Sequence, residues 1–166
     1  MGSNPTLRVR AVDERIGTVW PRPGYATPGS AGIDLRACVD GPVTIPPGAC
    51  ELVGTGIAID LDGRDVAGFL MPRSGLGHKH GLVLGNLVGL IDPDYQGEIK
   101  ASCWNRNHHG DVHIQPGERI AQLVLVPVWR PDLHWVEGVN ADTQRGAGGF
   151  GSTDIPGPAY DPDHRD

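Results

Sequence analysis

Apolar positions in this chain come in short runs that alternate with polar ones, and glycine or proline closes nearly every run. Leu7, Val9 and Ala11 alternate with Arg8 and Arg10, which predicts a first strand with one wet face. Ile33, Leu35 and Ala37 alternate with Asp34 and Arg36 in the same way. Short strands are expected at Val43-Thr44-Ile45, Glu51-Leu52-Val53, Ile57 to Leu61 and Val66 to Met71, joined by Pro/Gly turns. The longest stretch without glycine or proline runs from Glu98 to His109, and it sets Ile99, Ala101 and Cys103 against Lys100, Ser102 and Trp104. That is strand period, not helix period. Leu82 to Ile91 is two apolar runs around Gly85-Asn86, a two-residue hairpin signal. Glu118 to Val128 reads as a buried strand in which Gln122 is the polar exception and needs a hydrogen-bond partner. One more strand is expected around Leu133 to Val136.

Composition supports the same architecture. Of 166 residues, 25 are glycine and 15 are proline, which leaves little room for long helices. Hydrophobic content of 39% is that of a globular chain, and the length suits one domain with a real core. The expectation is an all-β sandwich or jelly-roll-like barrel of many short strands over residues 7–144.

The net charge of −6 and the absence of a basic stripe argue against a nucleic-acid polymer as partner. A small anion still fits, because a few arginines and backbone amides can hold one against the overall sign. Cys38, Cys50 and Cys103 form neither a zinc pattern nor a disulfide framework, so a cytoplasmic setting is expected. The longest apolar run, Leu123 to Trp129, is too short to span a bilayer.

Five places in the chain carry candidate chemistry. In Gly89 to Lys100 an apolar run ends at Asp92. Pro93 and Asp94 then make a turn, expected as a hairpin bend, and Tyr95 follows. An aspartate at such a bend beside an aromatic ring suits a general base next to a flat ligand, although an ordinary Asp-Pro-Asp turn reads the same way. In Pro72-Arg73-Ser74-Gly75 a strand ends and a short turn or helix begins. A guanidinium, a hydroxyl and exposed backbone N–H groups meet there, as an anion site requires. Asp34 is either a solvated strand charge or a second carboxylate suited to Mg²⁺. Asn86 either supplies a turn or reads the edge of a base with its amide. His78 and His80 have Lys79 between them and no carboxylate spaced to complete a metal site, so packed or solvated histidines are expected there, and His108, His109 and His113 are read as surface residues.

The fifth is Arg145-Gly146-Ala147-Gly148-Gly149-Phe150-Gly151-Ser152-Thr153. Its glycines make it a mobile segment, yet it carries a guanidinium, a ring and two hydroxyls. A loop that orders over a phosphorylated planar ligand uses all of them. Residues 154–166 form a Pro-rich acidic tail, expected to be disordered.

Taken in order, Ala31-Gly32-Ile33-Asp34-Leu35, Pro72-Arg73-Ser74-Gly75, Gly89 through Gly97, Arg119 to Pro127 with Gln122, and Arg145 to Thr153 resemble the trimeric dUTPases of bacterial type. The resemblance implies hydrolysis of dUTP to dUMP and pyrophosphate, which limits uracil in DNA and supplies dUMP for thymidylate synthesis. Asp92 would activate the water that attacks the α-phosphorus, and Gln122 would help hold that water. Arg73, Ser74 and Gly75 would cradle the phosphates, with Ser74 near the scissile bridge. Asp34 would act through water on Mg²⁺. Tyr95 would pack under the deoxyribose, while Asn86, Leu90 and Ile91 would read uracil. Lys100 would contribute from the strand after the turn. Arg145, Phe150, Gly151, Ser152 and Thr153 would close over the nucleotide. The resemblance also implies a homotrimer with sites at subunit interfaces. Two other readings compete: a dCTP deaminase of the same superfamily, and a β-sandwich that binds a nucleotide without turning it over. No glutamate base follows an Arg-Ser-Ser motif here, which weighs against the deaminase. Asp92, Gln122 and Asp34 together weigh against the binder.

Overall fold

The computed structural model describes residues 6–62 and 65–138. Among them are eleven strands and one helix, in agreement with the all-β expectation. Two compact units are present, residues 1–130 and 131–166; all strands and the helix belong to the first.

Every strand pairing is antiparallel. The largest sheet has the order β2 (Ile33–Arg36), β11 (Arg119–Pro127), β6 (Val66–Pro72), β8 (Gly89–Ile91). A second has the order β4 (Cys50–Gly54), β9 (Lys100–Asn105), β7 (Leu82–Leu84). Two ribbons complete the fold: β1 (Arg8–Ala11) with β5 (Ile57–Asp60), and β3 (Val43–Ile45) with β10 (Val112–Ile114). The one helix, α1 (Ser74–His80), follows β6.

Period-two patterning decides what goes inside. Along Ile99 to Asn105, every second residue is buried, from Ile99 through Ala101 and Cys103 to Asn105. All four sheets feed one apolar cluster, which includes Leu35, Ile45, Val53, Ile57, Leu70, Leu84, Ile114 and Leu123. Taking such a side chain out of water contributes about 1.5–3 kcal/mol. The polar side chain of Asn105 is fully buried as well. Its Nδ2 donates to the carbonyls of Ile45 and Gly110, and its Oδ1 accepts from the Asn107 N–H. With every polar atom partnered, Asn105 ties β9 to the β3 end and to the loop before β10, and these bonds offset the desolvation of its amide.

Four local expectations are corrected. Gly85-Asn86 is not a two-residue hairpin. β7 pairs with β9 and β8 pairs with β6, so the link of residues 85–88 crosses between sheets, with its left-handed residue at Leu87 (φ 62°). Asp92 likewise does not sit in a hairpin, because β8 and β9 belong to different sheets. Strand β1 has no dry face: all four of its residues are exposed. Leu133 to Val136 is irregular, without strand pairing.

Candidate active site

The sheet β2–β11–β6 brings three of the expected residues together. Register places Gln122 opposite Asp34 on one side and opposite Met71 on the other. The Gln122 amide bends toward the end of β6 and donates from Nε2 to the carbonyl oxygen of Pro72 at 3.0 Å. Its Oε1 fills the space next to Gly32, where a Cβ would stand 2.7 Å away. Gly32 is therefore glycine for room. The polar exception in β11 has the partner that a half-buried amide requires, and its oxygen remains turned toward the Gly32 strand entry.

One residue beyond Pro72 the chain leaves the sheet. Arg73 is extended (φ −84°, ψ 129°), and α1 starts at Ser74. The Arg73 Nε donates to Asp34 Oδ1 at 2.9 Å, and Arg119 Nη1 donates to Asp34 Oδ2 at 3.0 Å. Asp34 thus holds two guanidinium groups side by side, each more exposed than itself. Three charges sum to one net positive charge beside the exposed Ser74 and Gly75, and nothing lies within 4 Å of the Cβ position of Gly75. The arrangement is open, cationic and rich in donors, which suits a polyanion. Arg119 was not singled out from the sequence, since one arginine at a strand start carries no signal until the register puts it beside Asp34.

Asp92 stands elsewhere. It follows β8, is exposed, and its carbonyl accepts from the Tyr95 N–H at 3.1 Å, closing an Asp92-Pro93-Asp94-Tyr95 turn with Pro93 where its fixed φ is favoured. The Tyr95 ring lies over Gly97, where a Cβ would come within 2.7 Å of Cζ. Its hydroxyl donates to the carbonyl of Glu98 at 2.9 Å. Leu90 and Asn86 are exposed and Ile91 is half-buried. Exposed Lys100 opens β9, its Nζ 4.0 Å from Glu98 Oε2.

These two groups lie at opposite ends of one ladder. Ile91 pairs with Gly68 on β6, while Arg73 follows Pro72 at the other end. Counting from the level of Asp92 to Arg73 at ~3.3 Å per residue gives roughly 20 Å. Within one chain the carboxylate of Asp92 cannot reach a group held by Arg73, Asp34 and Gln122.

No group of three His, Cys, Asp or Glu side chains suited to a metal occurs among the described residues. Asp34 is the one carboxylate in the cationic cluster, and both its oxygens accept from guanidinium. Such a donor set fits Mg²⁺ only in the manner that ion favours, with waters and substrate phosphates supplying most of the coordination. His78, His80, His108, His109 and His113 are exposed. Arg145, Phe150, Gly151, Ser152 and Thr153 lie outside the described residues, as does the 154–166 tail.

The dUTPase family model matches residues 18–154. Deoxyuridine 5'-triphosphate nucleotidohydrolase of Idiomarina loihiensis is 58% identical over 145 residues, covering 87% of this chain and 95% of that protein. The Acinetobacter baylyi enzyme of the same name is 56% identical over 147 residues, covering 89% and 97%. Among solved structures, the Staphylococcus bacteriophage 80alpha dUTPase with dUpNHpp has a TM-score of 0.77 at 27% identity, covering 92% of this chain and 100% of that one. A mutant dUTPase from phage phi11 of S. aureus, described with a structural Mg(II) ion, has a TM-score of 0.69 at 26% identity and covers 81% and 98%.

Proposed function

The chain belongs to the dUTPase family and is a dUTP diphosphatase, and we propose that its active site is assembled from more than one copy. The observation that carries this is the separation along β6. Asp92 and Tyr95 lie past one end, and Arg73, Ser74 and Gln122 gather at the other. A second copy that brings its Asp92 end against the Arg73 end of the first completes the set. The reading is a homotrimer with interfacial sites.

In the assembled site Asp92 orients a water toward the α-phosphorus and takes its proton as the new P–O bond forms. The bond from the α-phosphorus to the bridging oxygen breaks, and pyrophosphate leaves with that electron pair. Gln122 offers its amide oxygen to the attacking water, its nitrogen being engaged by Pro72. Arg73, with the Ser74 hydroxyl and the backbone at Gly75, binds the phosphate chain. Asp34 keeps Arg73 aimed and would hold a hydrated cation through water. Mg²⁺, when bound with the triphosphate, supplies charge neutralisation on the phosphate oxygens. The Tyr95 ring packs under the deoxyribose and excludes a 2'-hydroxyl. Asn86, Leu90 and Ile91 border the uracil, and Lys100 contributes from the start of β9. Arg145, Phe150, Gly151, Ser152 and Thr153 close over the bound nucleotide. Three free thiols fit a reducing cytoplasm.

The test is a mass measurement in solution together with a turnover assay on dUTP and Mg²⁺. A mass of three chains with pyrophosphate release is expected. A monomer that turns dUTP over at full rate would end the shared-site reading.

A further inference from the structure

Glu98 is absent from the roles above, yet it is tied into the fold more firmly than its exposed neighbours. The end of β4 at Gly54 and the Thr55-Gly56 link to β5 wrap around Glu98 and Ile99. The Gly56 N–H donates to Glu98 Oε1 at 2.9 Å. Both the N–H and the Oγ1 of Thr55 donate to the Ile99 carbonyl, at 3.2 and 2.6 Å. The Ile99 N–H donates to the Ile57 carbonyl at 2.9 Å. Gly54 has no side chain because a Cβ there would come within 2.6 Å of Glu98 Oε1. Gly56 has φ +69°, the left-handed region that favours glycine. Two glycines and a buried threonine are thus arranged around one half-buried carboxylate.

What this clamp holds is the acceptor for Tyr95. The tyrosine hydroxyl donates to the Glu98 carbonyl, and the ring lies on Gly97. The backbone of Tyr95 is fixed at its other side by the turn to Asp92. The ring is held at both ends, and the residue is nonetheless exposed. A charged acceptor on a backbone N–H is among the stronger single bonds available to such a segment.

We propose that Glu98 is a positioning residue for Tyr95 and, through it, sets the selection of deoxyribose over ribose. This rests on the reading that Tyr95 packs under the sugar. The carboxylate pins Gly56, the pinned turn fixes the Glu98 carbonyl, and the carbonyl fixes the height of the ring. A loosened ring yields space at the 2' position, so a ribonucleotide gains what the deoxyribonucleotide loses.

The experiment compares kcat and KM for dUTP and UTP in Glu98→Ala, Glu98→Gln, Tyr95→Phe and Tyr95→Ala. In Glu98→Ala the dUTP-over-UTP ratio of kcat/KM is expected to fall about tenfold, the value of one hydrogen bond, chiefly through KM. Glu98→Gln keeps an acceptor for Gly56 and is expected to retain most of the ratio. Tyr95→Phe removes the hydroxyl without touching the turn, so it keeps the proposal testable if Glu98→Ala does not fold. It is expected to lower the ratio alone and to add little when combined with Glu98→Ala. Tyr95→Ala losing the ratio while Glu98→Ala and Tyr95→Phe keep it would overturn the positioning role and leave the sugar reading intact. Tyr95→Ala keeping the ratio would overturn the sugar reading, and the proposal with it.

Discussion

Gln122 spends its amide nitrogen on the Pro72 carbonyl at 3.0 Å, which leaves its amide oxygen against Gly32 as the atom able to hold a water. The bond fixes which way the amide faces, because a flipped side chain would set its oxygen against the oxygen of Pro72. Gly32→Ala intrudes on that oxygen without demanding an unusual backbone. It is expected to lower kcat about 10²-fold, with a small change in melting temperature, since a displaced positioning group costs rate more than fold. Steady-state kinetics beside thermal melts check this, and an unchanged kcat would detach Gln122 from the water.

Asp92 is exposed and makes no side-chain hydrogen bond among the described residues, so removing its basicity disturbs little else. Asp92→Asn is expected to lower turnover about 10³-fold while dUTP still binds. Calorimetry with a non-hydrolysable analogue measures the second half of this statement.

The split along β6 predicts rescue between two dead chains. Asp92→Asn and Arg73→Ala are each expected to be nearly inactive alone. Co-refolded in equal amounts, they regain activity at sites that take the sound half from each. Mixing that restores nothing would confine the site to one chain.

Asp13 and Arg15 make a close pair: Nε and Nη2 of Arg15 donate to the two oxygens of Asp13, at 2.9 and 2.7 Å. The bonds from Arg15 hold the Asp13 carboxyl well below the usual carboxylate range. A lowered folded-state pKa gives stability that is present above the unfolded value of about 3.9 and lost as pH falls through the folded one. Asp13→Asn is therefore expected to lower the melting temperature at pH 7, and the gap from the parent chain should narrow at strongly acidic pH. Paired melts across that range decide it.

Cys103 is buried and Cys38 half-buried, and burial pushes their thiols up to about 12 and about 11. Cys50 is exposed. Only Cys50 is expected to react with a thiol reagent near neutral pH in the folded protein, the others following on unfolding. Mass spectrometry after brief labelling reads the outcome.

Much of this was legible in the residues themselves. Alternation at Ile99 to Asn105 gave burial position by position, and the Pro72-Arg73-Ser74 stretch announced the end of a strand and the start of a short helix. What stayed hidden depends on partners far away in the chain. Gly85-Asn86 looks like a hairpin, yet its flanking strands pair with β9 and β6, a choice made by the core and not by the turn. Asp92 lies one residue past Ile91, the end of β8, which pairs with Gly68, so its distance from Arg73 follows from register alone. Arg119 at the start of β11 and Glu98 in the segment before β9 stay hidden for the same reason: a charge looks solvated until another element supplies Asp34 or Gly56.

The two guanidiniums on Asp34 bear on inheritance as well as on chemistry. A chain that has lost Asp34 leaves two like charges unrestrained where substrate must settle, and on the shared-site reading it carries that fault into assemblies with sound chains. A cell with one damaged and one intact copy would then lose more function than gene dosage alone accounts for.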